Sequence, residues 1–326
     1  KQLNIWLWLQ AFCVTEQFIR YGANDHGGGT MREGASGMVS MMIYLVSFFL
    51  ITRNWDSSDY FGSLRRNWKY IFLLYPSFLN ETKVSFILLA AYFVLLLKYD
   101  RKLLLRMTYI LPLSVLVFIG LGSLYLNLTR QEADEVLSAE FFEDYLYGID
   151  LDYMVDVAIM VQDGDIEVDP REWWSVDIPR MAKLALVMPE LRERKGGLWL
   201  GAGVGQFKGG SIVSETRFYS YNEWLLSGSR PWSFFVLVQL GFAGLIWYFG
   251  VICYDLFAKK VKNAFAVRNL LLIALCLLII LLYNDSLRFF NFCVMLFLLP
   301  LVLQYRSKDI VQKESSDSEV IRVAVL

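Results

Sequence analysis

Apolar residues run through this chain in long blocks rather than in short alternating stretches. Eight blocks stand out, roughly 3–19, 35–52, 69–79, 84–98, 107–126, 231–254, 267–283 and 287–305. A helix that crosses a bilayer needs about 20 mainly apolar residues, and most of the blocks approach that length. The third is short and contains Pro76, which predicts a broken or tilted segment. The pattern predicts an all-α polytopic membrane protein with about eight transmembrane helices. It divides into N-terminal transmembrane helices over 1–126, a long polar loop over 127–230, C-terminal transmembrane helices over 231–305 and a polar tail over 306–326. The chain opens at Lys1 inside an apolar run, so further helices are expected upstream.

Short helices are expected inside the loop. Asp177-Ile178-Pro179 reads as an N-cap followed by proline near the first turn, and a helix can run from there to about Glu193. Ile178, Met181, Ala185, Met188 and Leu191 line one apolar side of it. Arg180 and Lys183, three apart, share a different face. Downstream, Gly201-Ala202-Gly203-Val204-Gly205 lacks the spacing and the strand-to-helix context of a dinucleotide fingerprint. A tight backbone passage, where a side chain would clash, explains it better. Gly241-Phe242-Ala243-Gly244 places small residues in the sixth block, suited to close helix packing.

Composition agrees with a membrane protein. The chain is 56% hydrophobic and 16% aromatic, with a mean hydropathy of +0.43, whereas soluble domains are about 45–50% apolar. The net charge of -1 conceals a segregation. Arg53, Arg65, Arg66 and Lys69 follow the second block. Lys98, Arg101, Lys102 and Arg106 follow the fourth, Lys259, Lys260, Lys262 and Arg268 the sixth, and Arg306, Lys308 and Lys313 the eighth. The positive-inside rule makes these connections and the tail cytoplasmic. Residues 20–34, 80–83, 127–230 and 284–287 then face outward. The acidity of the long loop is compatible with this, because long translocated loops largely ignore charge. Cys13, Cys253, Cys276 and Cys293 lie in apolar blocks without paired spacing and read as buried small hydrophobes. His26 is the one histidine, which argues against a histidine-based metal site. No metal, no cofactor and no nucleic-acid partner is expected.

Cations gather on the outward face. Arg20 ends the first block, Lys83 lies in the second outward connection, and Arg180 and Lys183 lie in the long loop. Arg217 through Arg230 enter the sixth block, and Arg288 opens the last beside Asn284 and Asp285. A single cation at a span end merely snorkels to the interface. Several on one face suit an anionic lipid-linked ligand, because guanidinium binds phosphate oxygens in a fork and stays charged. Trp173, Trp174, Trp199 and Trp224 can stack on sugar rings or form an interfacial belt, and both readings stay open.

The order of these motifs resembles the O-antigen ligase and polymerase superfamily of Wzy-like polymerases and WaaL-like ligases. Arg20-Tyr21-Gly22 precedes Asn24 and a span. Asn80–Val84 opens the next inward span, with Lys83 where family members often show a Ser-Arg pair. The Arg180-led helix runs into Leu198-Trp199-Leu200 and the glycine run through Phe207, similar to the family's Gly-x-Gly-x-Gly-x-Phe passage. Tyr221-Asn222-Glu223-Trp224-Leu225 stands where the family commonly has His-Asn-x-x-Leu, and Gly241–Gly244 is like its Gly-Leu-x-Gly. The resemblance covers roughly residues 15–305.

What the resemblance implies is a GT-C-like, metal-independent glycosyltransferase in a bacterial inner membrane, with its active site facing the periplasm. The donor would be an undecaprenyl-pyrophosphate-linked oligosaccharide, with membrane lipids and a chain-length regulator as further partners. Arg20 and Arg180 are the first catalytic candidates. Glu223 or Asp285 would act as base, and Tyr221 would orient the acceptor hydroxyl. Lys83, Lys183, Arg217, Asn222 and Arg288 would bind pyrophosphate or glycan. Tyr221, where the ligases have histidine, favours a polymerase. Alternatives are a ligase acting on lipid A core or protein, a lipid-linked glycan transporter, which calls for repeats or broken helices in both halves, and a non-enzymatic scaffold.

Overall fold

The computed structural model describes residues 1–22, 27–31, 35–79, 84–97, 180–207, 217–226, 230–257, 264–288 and 292–293. Within them the structure is helical, without strands. The chain divides into two compact units. The first holds Lys1–Thr129, Asp255–Cys276 and Ser286–Leu326; the second holds Arg130–Tyr254 and Leu277–Asp285.

In the first unit, α1 (Gln2–Tyr21), α2 (Ser36–Thr52), α3 (Tyr60–Arg66), α4 (Trp68–Phe72), α5 (Pro76–Leu79) and α6 (Val84–Leu95) follow one another. Because α2 is apolar nearly all round, it belongs in the centre. It is buried along almost its whole length and packs against α1, α4, α5 and α6. Its few polar groups are satisfied internally, as burial requires. Tyr44 donates to the Ser85 carbonyl at 2.8 Å. Ser47 donates to the Tyr70 carbonyl at 2.8 Å and lies 3.0 Å from the Tyr92 hydroxyl. Thr52 Oγ1 accepts from Asn269 Nδ2 at 2.8 Å. Arg268, expected in a basic connection, is instead a buried helix residue whose Nη2 donates to the Leu97 carbonyl at 3.1 Å.

The third apolar block is broken, as Pro76 predicts. Helix α4 stops at Phe72 and α5 begins on Pro76 itself, where the missing N–H of proline costs least. Tyr75, in the intervening turn, reaches back to α1. Its hydroxyl donates to the Ala11 carbonyl at 3.2 Å and lies 2.7 Å from Thr15 Oγ1.

A second attachment on α1 uses glutamines seven residues apart. Gln17 Nε2 donates to the Gly29 carbonyl at 2.9 Å, and Gly29 N–H donates back to Gln17 Oε1 at 2.7 Å. The Thr30 N–H donates to Gln10 Oε1 at 3.0 Å, while Gln10 Nε2 donates to Thr30 Oγ1. Two side-chain amides thus stand in for a partner strand. Gly29 has φ +58°, and a Cβ there would overlap the Gln10 carboxamide.

The second unit contains α7 (Arg180–Glu193), α8 (Gly197–Leu200), α9 (Arg217–Asn222), a 3₁₀ turn (Glu223–Leu226), α10 (Trp232–Phe257) up to Tyr254, and the end of α11 (Ala264–Tyr283). Its core gathers Val187, Leu191, Phe218, Leu225, Phe234 and Val238. Phe207 packs into this core, its ring centroid 5.7 Å from Phe218, 5.6 Å from Phe234 and 4.7 Å from Phe235. Helix α7 has the predicted extent, and of its predicted apolar side Leu191 is buried and Met188 packs against the core, while the side chains at 178, 181 and 185 lie outside the described residues. Its buried line runs through Lys183, Val187 and Leu191 at fourfold spacing, so Lys183 lies on the core side rather than on a separate face. Phe218 and Phe234 pull Val187 and Leu191 inward, and the lysine stem follows them. The predicted cap at Asp177 lies outside the described residues.

Trp232–Val251 of α10 and the whole of α11 are each 20 residues long and apolar enough to cross a membrane, while α2 is shorter. That makes the protein a helical one with candidate membrane spans. Exposed apolar faces accompany this: Ile5, Trp8, Phe12 and Ile19 on α1, and Leu240, Ile246, Trp247 and Val251 on α10. The block 107–126, the tail, and the segments holding His26 and Lys83 lie outside the described residues. Among the cysteines, Cys276 is buried as expected, but Cys253 is exposed, because it sits on a face of α10 that no described element covers.

Replacing Gln10 by leucine preserves bulk but strips Thr30 of both its partners. The expected loss is about 1–3 kcal/mol of stability, read as a lower midpoint of thermal unfolding in detergent. An unchanged midpoint would count against the glutamine clamp.

Candidate functional site

The residues with chemical potential in the second unit are organised by one carboxylate. Glu190 lies on α7 and Arg194 four residues on, just past the helix end, and Arg194 Nη2 donates to Glu190 Oε1 at 2.7 Å. The other oxygen, Oε2, accepts from Asn222 Nδ2. Asn222 closes α9, where Nδ2 also donates to the Phe218 carbonyl at 3.1 Å. Glu190 therefore clasps the last turn of α9 to α7. The chain then enters the 3₁₀ turn, so Tyr221, Asn222 and Glu223 are held in place by backbone that Glu190 fixes.

A second tie holds the far end of that turn. Arg230 Nη1 donates to the Leu226 carbonyl at 2.7 Å, and Nη2 lies 3.8 Å from Asp285 Oδ2. The same guanidinium sits over the Phe235 ring at 5.9 Å, a cation–π arrangement. Asp285 is thereby linked through Arg230 to the turn that starts at Glu223.

The predicted site residues separate accordingly. In the second unit, Arg180 opens α7, ten residues before Glu190 and hence about 15 Å from it along the axis. Lys183 is fully buried. Arg217 opens α9 and Asn222 closes it, Tyr221 precedes Asn222, Glu223 opens the turn, and Asp285 pairs with Arg230. In the first unit, Arg20 is exposed at the end of α1 and ion-paired with Glu16, and Arg288 ends the short turn Ser286–Arg288. Lys83 lies outside the described residues. Among the described residues no group of three or more His, Cys, Asp or Glu is placed to hold a metal ion.

The glycine run is a tight passage, and its partner is the backbone of α10. Helix α10 is broken at Gly241, with φ 63° and ψ -160°. The break frees carbonyls, and Ala202 N–H donates to the Val238 carbonyl at 2.6 Å while Gly203 N–H donates to the Gln239 carbonyl at 3.2 Å. Gly201 has φ +70°, and a Cβ there would lie 2.5 Å from Gln239 C and 2.6 Å from Leu240 N. A Cβ on Gly241 would lie 2.5 Å from Trp199 O and 2.6 Å from Gly201 N. Gly241 thus admits the backbone of Trp199 and Gly201, where α8 ends and the glycine run begins.

Sequence reading missed Glu190, Arg194 and the bridging role of Arg230. The spacing of Glu190 and Arg194 on a predicted helix was a signal for an ion pair, but not for the partner 32 residues on. The chain matches no protein-family model, no curated protein and no solved structure.

Gly201→Ala and Gly241→Ala each force a side chain into backbone at a positive φ. Each is expected to cost about 3 kcal/mol or more, measured by thermal unfolding of the purified protein. Gly205→Ala, at an open position, should cost clearly less, and equal losses at all three would refute the contact-based account.

Proposed function

We propose that the chain is a membrane glycosyltransferase that polymerises undecaprenyl-pyrophosphate-linked repeat units into O-antigen, capsule or exopolysaccharide at the outer face of a bacterial inner membrane. The observation that carries this reading is the Glu190 clasp. It joins the helix that Arg180 opens to the Tyr221-Asn222-Glu223 turn, so motifs that the resemblance makes functional share one packed unit.

In the proposed reaction the hydroxyl oxygen of an acceptor sugar attacks the anomeric carbon of the donor. The bond from that carbon to the pyrophosphate oxygen breaks, and the pyrophosphate leaves with the electron pair. The hydroxyl proton passes to a carboxylate, Glu223 or Asp285. The guanidinium group of Arg180 would offset charge growing on the leaving group, and Arg20 is the other catalytic candidate that the resemblance names. The distance of about 15 Å along α7 between Arg180 and Glu190 suits an extended substrate, with pyrophosphate at one end and acceptor sugars at the other.

Tyr221 in the place of the ligase histidine supports polymerisation over transfer to lipid A core. The break in α10 is a device that transporters also use. Here the freed carbonyls accept from Ala202 and Gly203, so the break seats a loop of the same unit, which supports an enzyme over a carrier.

Arg20→Ala and Arg180→Ala, assayed in membranes for elongation of lipid-linked repeats, should each lower the rate about 100-fold or more. Arg192→Ala, at an exposed position on α7, should leave it unchanged. Full activity in both variants overturns the cationic clamp, and transfer to lipid A core or to protein instead of elongation would make the protein a ligase.

A further inference from the structure

We propose that residues Gly197–Phe207 form a re-entrant hairpin seated in the hydrocarbon layer of the membrane, with its outer side covered by lipid acyl chains. The inference rests on Trp232–Val251 crossing the bilayer and is independent of the transferase reading. Gly241 is the tenth residue of that 20-residue span, so it lies about 14 Å below Trp232, near the middle of a hydrocarbon core about 30 Å thick. The loop meets α10 at this depth. Gly201 packs against Gln239 and Leu240, and the Trp199 ring lies 6.1 Å from that of Phe242. Six residues later Phe207 lies against Phe234 and Phe235, about 9 Å back toward the span entrance. The chain therefore descends, turns and returns along one face of α10.

Irregular backbone tolerates such a place when its polar groups are satisfied within the protein, and the amides of the stretch that meets α10 are so satisfied. Trp199 and Leu200 donate to the Gly196 carbonyl at 3.0 and 2.9 Å, Gly201 donates to the Gly197 carbonyl at 2.7 Å, and Ala202 and Gly203 donate to α10. These are five successive amides. The single polar side chain of the hairpin, Gln206, turns Nε2 inward to the Ala202 carbonyl at 2.8 Å.

The exposed side chains identify the occupant. Trp199, Leu200 and Val204 are 62%, 70% and 78% exposed, and all are apolar. Leu240, Ile246 and Trp247 of α10 are likewise exposed and apolar. No charged residue occurs from Gly196 to Phe207, whereas Arg192, Glu193, Arg194 and Lys195 precede the segment and Lys208 follows it. A loop in water has no need of that gap, and a loop in lipid requires it.

The test uses single cysteines at Trp199, Val204, Ile246 and Arg192, with the four native cysteines replaced by alanine. Membranes are treated with a membrane-impermeant maleimide. Where that background fails to fold, the native cysteines stay and labelling is read peptide by peptide by mass spectrometry. Arg192→Cys should label readily and Ile246→Cys should be protected. Trp199→Cys and Val204→Cys should label at least about tenfold more slowly than Arg192→Cys, and nitroxides attached there in detergent-solubilised, lipid-reconstituted protein should collide with oxygen in preference to a water-soluble nickel chelate. Aqueous labelling at 199 and 204 as fast as at 192, with 246 protected, overturns the hairpin. Fast labelling at 246 removes the span beneath it and overturns the proposal by a separate route. Neither result touches elongation activity, which decides the transferase reading.

Discussion

A helix cannot be interrupted in an apolar setting unless something else satisfies the backbone groups it releases. The second unit is organised around one such interruption. Gly241 breaks α10, and Ala202 and Gly203 supply the donors that the Val238 and Gln239 carbonyls require. The exchange demands two backbones in direct contact, hence glycine on both sides at positions where a Cβ would overlap main-chain atoms. Once the loop is bound there, Phe207 falls among Phe218, Phe234 and Phe235. The core then closes over Val187 and Leu191, and α7 is fixed. The position of Glu190, and through it of Asn222, follows from that chain of contacts.

The first unit meets the same demand by other means. There the irregular backbone is at Gly29 and Thr30, and the satisfying groups are the carboxamides of Gln10 and Gln17. In one unit main chain serves main chain, and in the other side chains do so. In both, a glycine at positive φ removes the Cβ that would block the approach. Gly29, Gly201 and Gly241 thus mark where non-helical backbone is admitted close to a helix, which is a more specific role than flexibility.

Much of the local structure was legible because its causes are local. The interruption at Pro76 follows from the proline ring, the extent of α7 from its arginine-led amphipathic stretch, and the tightness of the Gly201 passage from the density of glycine. The burial of Lys183 on α7 was not legible. Hydropathy alone puts Met188 and Leu191 on the apolar side and the lysine on another face. The observed line through Lys183, Val187 and Leu191 is set by aromatic residues that arrive from Phe207 onward. The clasp between Glu190 and Asn222, and the meeting of Gly201 with Gly241, are likewise long-range. A periodic pattern shows that an element has a buried side, but the surface that buries it decides which residues that side contains. Arg268 repeats the point: it was counted among the loop cations, yet it is a buried helix residue tied to the Leu97 carbonyl.

The glutamine clamp on α1 bears on how the protein is made. Gln10 and Gln17 lie on one helix, and their partners are encoded 20 and 12 residues later. Helix α1 by itself leaves both carboxamides without these partners, which exist only once the segment leading into α2 has been made and has folded back. The two glutamines therefore make α1 and that segment form together, with the order of assembly written into the spacing of polar residues.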